Sequence, residues 1–252
     1  QCDAQAASVA AALRARGLAP GSRIAMAGPC DTTSIPVLFG AFRAGIAVYL
    51  PNTRLPEAAL RENLARTESR YVVGPREDGL DPEELLEHAA DEKVNEVDPD
   101  APATIVATSG STGSPKMAVH SLENHLANAE ASNRNIILAP GDRWLLSLPR
   151  YHVAGLGTVF RCILAGATVA VPPPGESLEA SITVLNATHV SLVSTQLQRL
   201  LETPAGRQAL SRLKAVLLGG SAVPERLLER AAAAGVPLHT TYGLTEAASQ
   251  VT

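Results

Sequence analysis

A chain of 252 residues leaves room for one large domain or two small ones, at about 150 residues per domain, and can bury a core without staples. Its residues are 46% hydrophobic and 18% charged, an ordinary globular composition. A net charge of −4 with no basic block, and only 3% aromatic residues, argue against nucleic acid and anionic membranes as partners: neither phosphate neutralisation nor base stacking has the groups it needs. From Gln1 the sequence runs straight into a helical pattern with no initiating Met, which suggests that residues precede it, and no signal peptide is visible. Residues 24–27 and 46–50 read as buried strands; the apolar stretch 35–50 is interrupted by Arg43 and two glycines and is too short to span a bilayer. Residues 71–73 give another strand, and Asp81-Pro82-Glu83-Glu84 then supplies a helix cap, a first-turn proline and a capping-box glutamate. The polar, proline-bearing stretch 91–102 reads either as a surface loop or as a boundary between two subdomains. Beyond it, residues 104–107, 168–171, 190–193 and 215–218 read as buried strands. Ser121 opens one helix, and Pro224 starts another that stops at Gly235. The alternation predicts an α/β fold of largely parallel sheets flanked by helices, with ligands beyond the carboxyl ends of the strands.

Cys2, Cys30 and Cys162 are three in number and far apart, with no CxxC pair, so they point to a reducing, cytoplasmic setting rather than a disulfide framework or a zinc site. The six histidines form no HExxH motif.

The strongest chemical signal is Thr108-Ser109-Gly110-Ser111-Thr112-Gly113-Ser114-Pro115-Lys116, placed directly after an apolar strand. Small residues let a backbone turn tightly and bring N–H groups to an anion; the hydroxyls add donors and Lys116 adds charge, as a triphosphate requires. The spacing differs from a Walker A loop, which needs glycine where Pro115 stands. No G-x-G-x-x-G occurs, and Gly219-Gly220-Ser221-Ala222-Val223 lacks the last glycine of a nucleophile elbow, which disfavours a serine hydrolase.

This loop resembles the signature of the acyl-adenylate-forming (AMP-binding) superfamily, which comprises acyl-CoA synthetases, luciferases and peptide-synthetase adenylation domains. That signature usually has glycine after the lysine; Met117 takes its place here, beyond the phosphate-facing turn, which narrows the subfamily. Three further segments match in order. Tyr151-His152-Val153-Ala154-Gly155 resembles the aromatic-His motif near the acyl pocket, Gly219-Gly220-Ser221 the glycine pair beside the adenine and acyl group, and Thr241-Tyr242-Gly243-Leu244-Thr245-Glu246 the YGxTE motif.

The resemblance implies the large N-terminal domain of an acyl-CoA synthetase-like fold. It implies an AMP-forming acid–thiol ligase that uses ATP, Mg²⁺ and coenzyme A. Tyr242 would pack on adenine, Thr245 would bond the α-phosphate, and Glu246 would hold Mg²⁺ as a hard oxygen ligand. Lys116 and His152 complete the implied catalytic set. Thr108, Ser109, Gly110, Ser111, Thr112 and Gly113 would face the phosphates; Gly219, Gly220, Ser221, Thr241 and Gly243 would face the nucleotide. Bland alternatives stay open: Glu246 as a helix-end carboxylate, His152 as a packing residue, Tyr242 as core.

The fuller segments 147–157 and 188–201, with Arg161, look most like o-succinylbenzoate–CoA ligases of menaquinone biosynthesis. That acid keeps a second carboxylate, which needs a cation in the pocket. Arg161 is the candidate, with Ser191, Thr195, His152 and Gly220 lining the acid; a surface arginine covering apolar area is the alternative. Another aryl- or acyl-CoA synthetase, or a non-catalytic nucleotide-binding module derived from one, remain alternative readings. The expected partners are a small carboxylic acid and CoA, with a homodimer as the commonest assembly. The family's smaller C-terminal domain and its ribose-binding aspartate are expected after Thr252, so these residues alone should adenylate poorly.

Overall fold

The computed structural model describes residues 1–29, 31–90, 97–108 and 115–251. Residues 91–96 of the polar stretch lie outside the described residues, as do Ser109, Gly110, Ser111, Thr112, Gly113 and Ser114 of the phosphate loop, Cys30 and Thr252. The chain divides into two compact units, Gln1–Asn124 and His125–Thr252.

The first unit runs α1 (Cys2–Ala15), β1 (Arg23–Met26), α2 (Ser34–Arg43), β2 (Ala47–Leu50), α3 (Glu57–Arg66), β3 (Tyr71–Val73), α4 (Pro82–Glu87), β4 (Pro102–Ala107) and β5 (Met117–Ser121). Its sheet has the order β3-β1-β2-β4-β5 and is parallel except for the β4–β5 hairpin. Strands buried on both faces read as continuous apolar runs, which is why β1 and β2 were visible in the sequence. Ala25, Tyr49, Val72 and Ile105 form one core face with Leu64 of α3 and Met117 of β5. On α2, Gly40 permits close contact with α1, since an added β-carbon would lie 2.5 Å from Val9 Cβ. The expected cap of α4 is present, with Glu83 N–H donating to Asp81 Oδ1 at 2.9 Å. Glu84, expected to close a capping box, instead lies 3.9 Å from the guanidinium of Arg16, the residue that follows α1.

Helix α5 (Leu122–Asn135) starts as expected at Ser121, through a reciprocal cap. Asn124 N–H donates to Ser121 Oγ at 3.2 Å, and Ser121 N–H donates to Asn124 Oδ1 at 3.0 Å.

The second unit continues with β6 (Arg143–Leu145), α6 (Val153–Ala165), β7 (Thr168–Ala170), α7 (Leu178–Val184), β8 (His189–Leu192), α8 (Ser194–Glu202), α9 (Pro204–Ser211), β9 (Ala215–Leu218), α10 (Glu225–Ala233) and β10 (Leu238–Thr240). A short ribbon of β11 (Gly243–Leu244) and β12 (Ser249–Gln250) follows, joined by a 3₁₀ turn over Thr245–Ala247. The sheet order β10-β9-β8-β6-β7 is parallel throughout. Side chains alternate between its faces. Leu145, Val190, Leu192, Val216 and Leu218 enter one core with Leu197 and Leu200 of α8. Trp144, Ala215 and Leu217 enter the other with Ile136 and with Cys162 of α6. From β6 the chain first crosses to β7 on one side and then to β8 on the other, so strand order reverses between β6 and β8. In open parallel sheets that reversal opens a crevice at the carboxyl ends of the strands. Among the described residues no helix is long and apolar enough to cross a membrane.

Candidate functional site

In the first unit, the described ends of the phosphate loop are tied together. Thr108 N–H donates to Lys116 O at 2.8 Å, extending the β4–β5 ladder by one bond beyond the Ala107–Met117 pair. Arg66 of α3 donates from Nη2 to Pro115 O at 2.9 Å. Lys116 is exposed, whereas Met117, at the family's glycine position, turns into the core with Tyr49 and Ile105. The hairpin thus holds Lys116 at the loop's exit through its own backbone, with Arg66 bracing the neighbouring Pro115 carbonyl. This antiparallel strand is one of the elements that the sequence reading lacked: of Met117–Ser121 only His120 is buried, and the segment carries too few apolar residues to announce itself.

In the second unit, a cavity lies at the β6/β8 reversal. Leu148 follows β6, Ser191 to Val193 end β8, and Gly219 and Gly220 follow β9. Val153 and Ala154 of α6 and Gly243 to Thr245 of the ribbon complete its wall. The glycines here make close approaches. At Gly155 an added β-carbon would lie 2.3 Å from Pro149 O, so α6 can start only where that side chain is missing. Gly155→Val should therefore cost about 3 kcal/mol through overpacking. That loss would lower the thermal midpoint by roughly 6–12 °C, and an unchanged melt would refute the close packing. Gly220 has φ +88°, a left-handed turn that carries the chain past the cavity. A second, more open recess shares Gly220, Thr241 and Gly243 with the cavity and adds Ser221 and the exposed Tyr242.

The polar end of the cavity is built on Arg161. Helix α6 is buried almost all round, and Arg161 is 1% exposed. Its Nη2 donates to Ser249 Oγ at 3.2 Å, and its guanidinium lies 5.4 Å from the centre of the Trp144 ring. Nε and Nη1 are buried with no hydrogen-bond partner among the described residues. Burial pushes its pKa down to about 10, so it stays cationic at neutral pH. Ser191 Oγ accepts from Trp144 Nε1 at 3.1 Å and also lines the cavity. The ribbon brings Ser249 to Arg161, and Asn128 of α5 holds the ribbon by donating from Nδ2 to Ala247 O at 3.1 Å and Gln250 O at 2.7 Å.

Of the residues singled out in the sequence, Arg161, Ser191, Gly219, Gly220, Thr241, Gly243 and Thr245 therefore share one cavity, and Ser221 and Tyr242 share the adjoining recess. Glu246 is exposed on the 3₁₀ turn and makes no ion pair among the described residues, leaving its oxygens available to a hard cation. His152 caps the start of α6 with an exposed ring 4.7 Å from that of Tyr151 and does not line the cavity; partial desolvation lowers its pKa and keeps it neutral at pH 7. Thr195 also stands apart. It is exposed on the first turn of α8, about 200° around the helix from the buried Leu197. Trp144, Ser249 and Asn128 were not singled out in the sequence. No motif marks them, and the only signal was the presence of a single tryptophan.

The model of the AMP-binding enzyme family matches residues 1–252. The 2-succinylbenzoate–CoA ligase of Escherichia coli K12 is 36% identical over 253 aligned residues, covering 96% of this chain and 53% of that protein. The Haemophilus influenzae enzyme of the same name is 42% identical over 151 residues, covering 60% of this chain and 32% of that protein. This chain spans about half the length of the first two curated relatives, 53% and 52%. Among solved structures, Bacillus subtilis o-succinylbenzoate CoA synthetase in complex with the acyl-adenylate intermediate OSB-AMP matches with a TM-score of 0.88 at 29% identity, covering 100% of this chain and 69% of that one. The inhibitor-bound N-terminal domain of Mycobacterium tuberculosis FACL13 matches with a TM-score of 0.88 at 28% identity, covering 98% and 69%.

Proposed function

The chain belongs to the AMP-binding enzyme family, and from that premise we propose that its protein is an AMP-forming ligase that joins 2-succinylbenzoate to coenzyme A in the cytoplasm, for menaquinone biosynthesis. One observation carries the choice of acid. The cavity beside the YGxTE segment holds a buried guanidinium with two nitrogens that have no partner among the described residues. A purely apolar acyl tail would leave that charge uncompensated, whereas a second carboxylate would satisfy it.

The chemistry follows from these residues. The acid carboxylate attacks the α-phosphorus of ATP in line; the new O–P bond forms as the bond to pyrophosphate breaks. The thiol of CoA then attacks the acyl carbon and displaces AMP. Tyr242 offers a ring face for adenine at the open recess, and Thr245 donates to the α-phosphate. The phosphate loop and Lys116 neutralise the departing pyrophosphate. Glu246 would hold magnesium, which when bound offsets phosphate charge. No protein nucleophile is needed; orientation and charge neutralisation supply the rate.

The reading is tested by thermal shifts of the chain with non-hydrolysable acyl-adenylate analogues carrying o-succinylbenzoyl, benzoyl or fatty-acyl groups, against adenosine alone. A ligand at 100 times its Kd adds about 2.7 kcal/mol, which moves the midpoint by roughly 5–11 °C. The o-succinylbenzoyl form should give the largest shift. Equal shifts for all acyl forms would remove the acid and keep adenylation; a shift with none of them would remove the site.

A further inference from the structure

Resting on that reading of the cavity, we propose that Trp144 is the positioning residue that sets specificity for the acid's second carboxylate, by aiming Arg161 and Ser191 at the same point.

The arrangement starts in the strands. Trp144 in β6 pairs in register with His189 in β8. Ser191 is two residues further along β8 and so lies on the same face as His189. The indole is fully buried and is fixed from one side by the His189 ring, stacked at 5.2 Å. His189 is itself anchored, with Nδ1 2.8 Å from Thr188 Oγ1 and Nε2 3.1 Å from Ile137 O. The tryptophan ring therefore has little freedom to turn.

Two consequences follow for the cavity. An indole N–H can only donate, so its bond to Ser191 occupies a lone pair of that hydroxyl. The hydroxyl hydrogen of Ser191 has no acceptor among the described residues, and Ser191 lines the cavity, so it is left to donate inward. The face of the same indole carries the Arg161 guanidinium, while Ser249 holds only Nη2. Nε and Nη1 remain for a ligand. One rigid ring thus orients a neutral donor and a charged donor together, the set that a carboxylate's two oxygens would fill.

The test needs no activity, only affinity for the o-succinylbenzoyl and benzoyl adenylate analogues. Trp144 is the only tryptophan of the chain, so its emission reads the site directly. In the unaltered chain the o-succinylbenzoyl analogue should shift or quench that emission, and the benzoyl analogue and adenosine should not. Trp144→Phe keeps the ring and loses the N–H. It should cut the preference for o-succinylbenzoyl over benzoyl about fivefold, the worth of one hydrogen bond. Trp144→Leu also loses the ring face and should cut it by a further factor of about three or more. In a Ser191→Ala background, Trp144→Phe should cost nothing further, because its partner is gone. A tryptophan that merely fills space would change melting temperature and leave the preference ratio alone; an unchanged ratio in Trp144→Phe, or additive losses with Ser191→Ala, overturns the proposal while the acid assignment stands. Should the substituted chains fail to fold, the emission response of the unaltered chain decides: equal responses to both acyl analogues overturn it. If the unaltered chain shows no preference at all, both this proposal and the choice of acid fall, although binding of either analogue would still support adenylation.

Discussion

Arg161→Met is expected to raise the thermal midpoint of the chain and, at the same time, to weaken binding of the o-succinylbenzoyl adenylate analogue about 100-fold. The two effects share one cause. Arg161 is 1% exposed, and two of its three guanidinium nitrogens have no partner among the described residues. A buried charge satisfied by one hydroxyl and a ring face is a cost to folding. Methionine matches the length of the arginine stem and fills the same space without the charge, so the substitution should stabilise by about 1 kcal/mol or more. That corresponds to roughly 2–4 °C in the melt. The binding loss runs the other way. Hydrogen bonds to a charged group are worth about 1.5–3 kcal/mol each, and two are at stake, so about 3 kcal/mol is a conservative figure. Affinity for the benzoyl analogue should stay within about threefold, because it places nothing at the guanidinium. Arg161→Lys keeps the charge but cannot present two donors in a fixed fork, so it should recover only part of the loss. A midpoint that falls while both analogues bind as before would return Arg161 to a packing role. Stability given up at a site and recovered by its ligand is a general pattern in enzymes.

How far the sequence revealed this site depended on how each element buries its side chains. The central strands were legible because both faces are covered, so that the segments containing Val48-Tyr49 and Val216-Leu217 read as unbroken apolar runs. Strand β6 was not, because it is three residues long and carries Arg143 at its exposed start. With it went Trp144, the residue that organises the polar end of the cavity. Ser249 was equally silent. Its role arises only when β12 folds back on β11, pairing Leu244 with Ser249. Arg161 was more readable than it first looked. In α6, the sequence VAGLGTVFRCILA offers no charged face on which a surface arginine could lie, so the arginine had to be buried and had to meet an anion or a ring. The same reasoning weighs against Thr195, whose helix buries Leu197, Leu200 and Leu201 and so turns position 195 outward.

At the other end of the chemistry, Lys116→Ala should lower ATP–pyrophosphate exchange with 2-succinylbenzoate by about 10²–10³, with almost no change in stability. Lys116 is exposed, and among the described residues it is held by its backbone: its carbonyl accepts from Thr108 N–H at 2.8 Å, which alanine preserves. Its neighbour Met117 carries the packing, against Tyr49 and Ile105, so the hairpin should close without the lysine side chain. What alanine removes is the charge at the loop's exit, where negative charge grows on the leaving pyrophosphate. Losing one preorganised donor or cation from such a site costs about 3–4 kcal/mol of transition-state stabilisation. The melt should move by no more than about 1 °C, as for most exposed substitutions. Lys116→Arg should retain an intermediate rate, since a planar fork replaces a compact ammonium. Met117→Gly separates the two roles: it restores the residue usual at that position in the family, yet it opens a gap beside Tyr49. It should therefore destabilise by about 2–3 kcal/mol while leaving the exchange rate of the folded protein within a few-fold. An exchange rate that survives Lys116→Ala and fails in Met117→Gly would reverse the assignment and make the loop's packing, rather than its charge, the limiting feature.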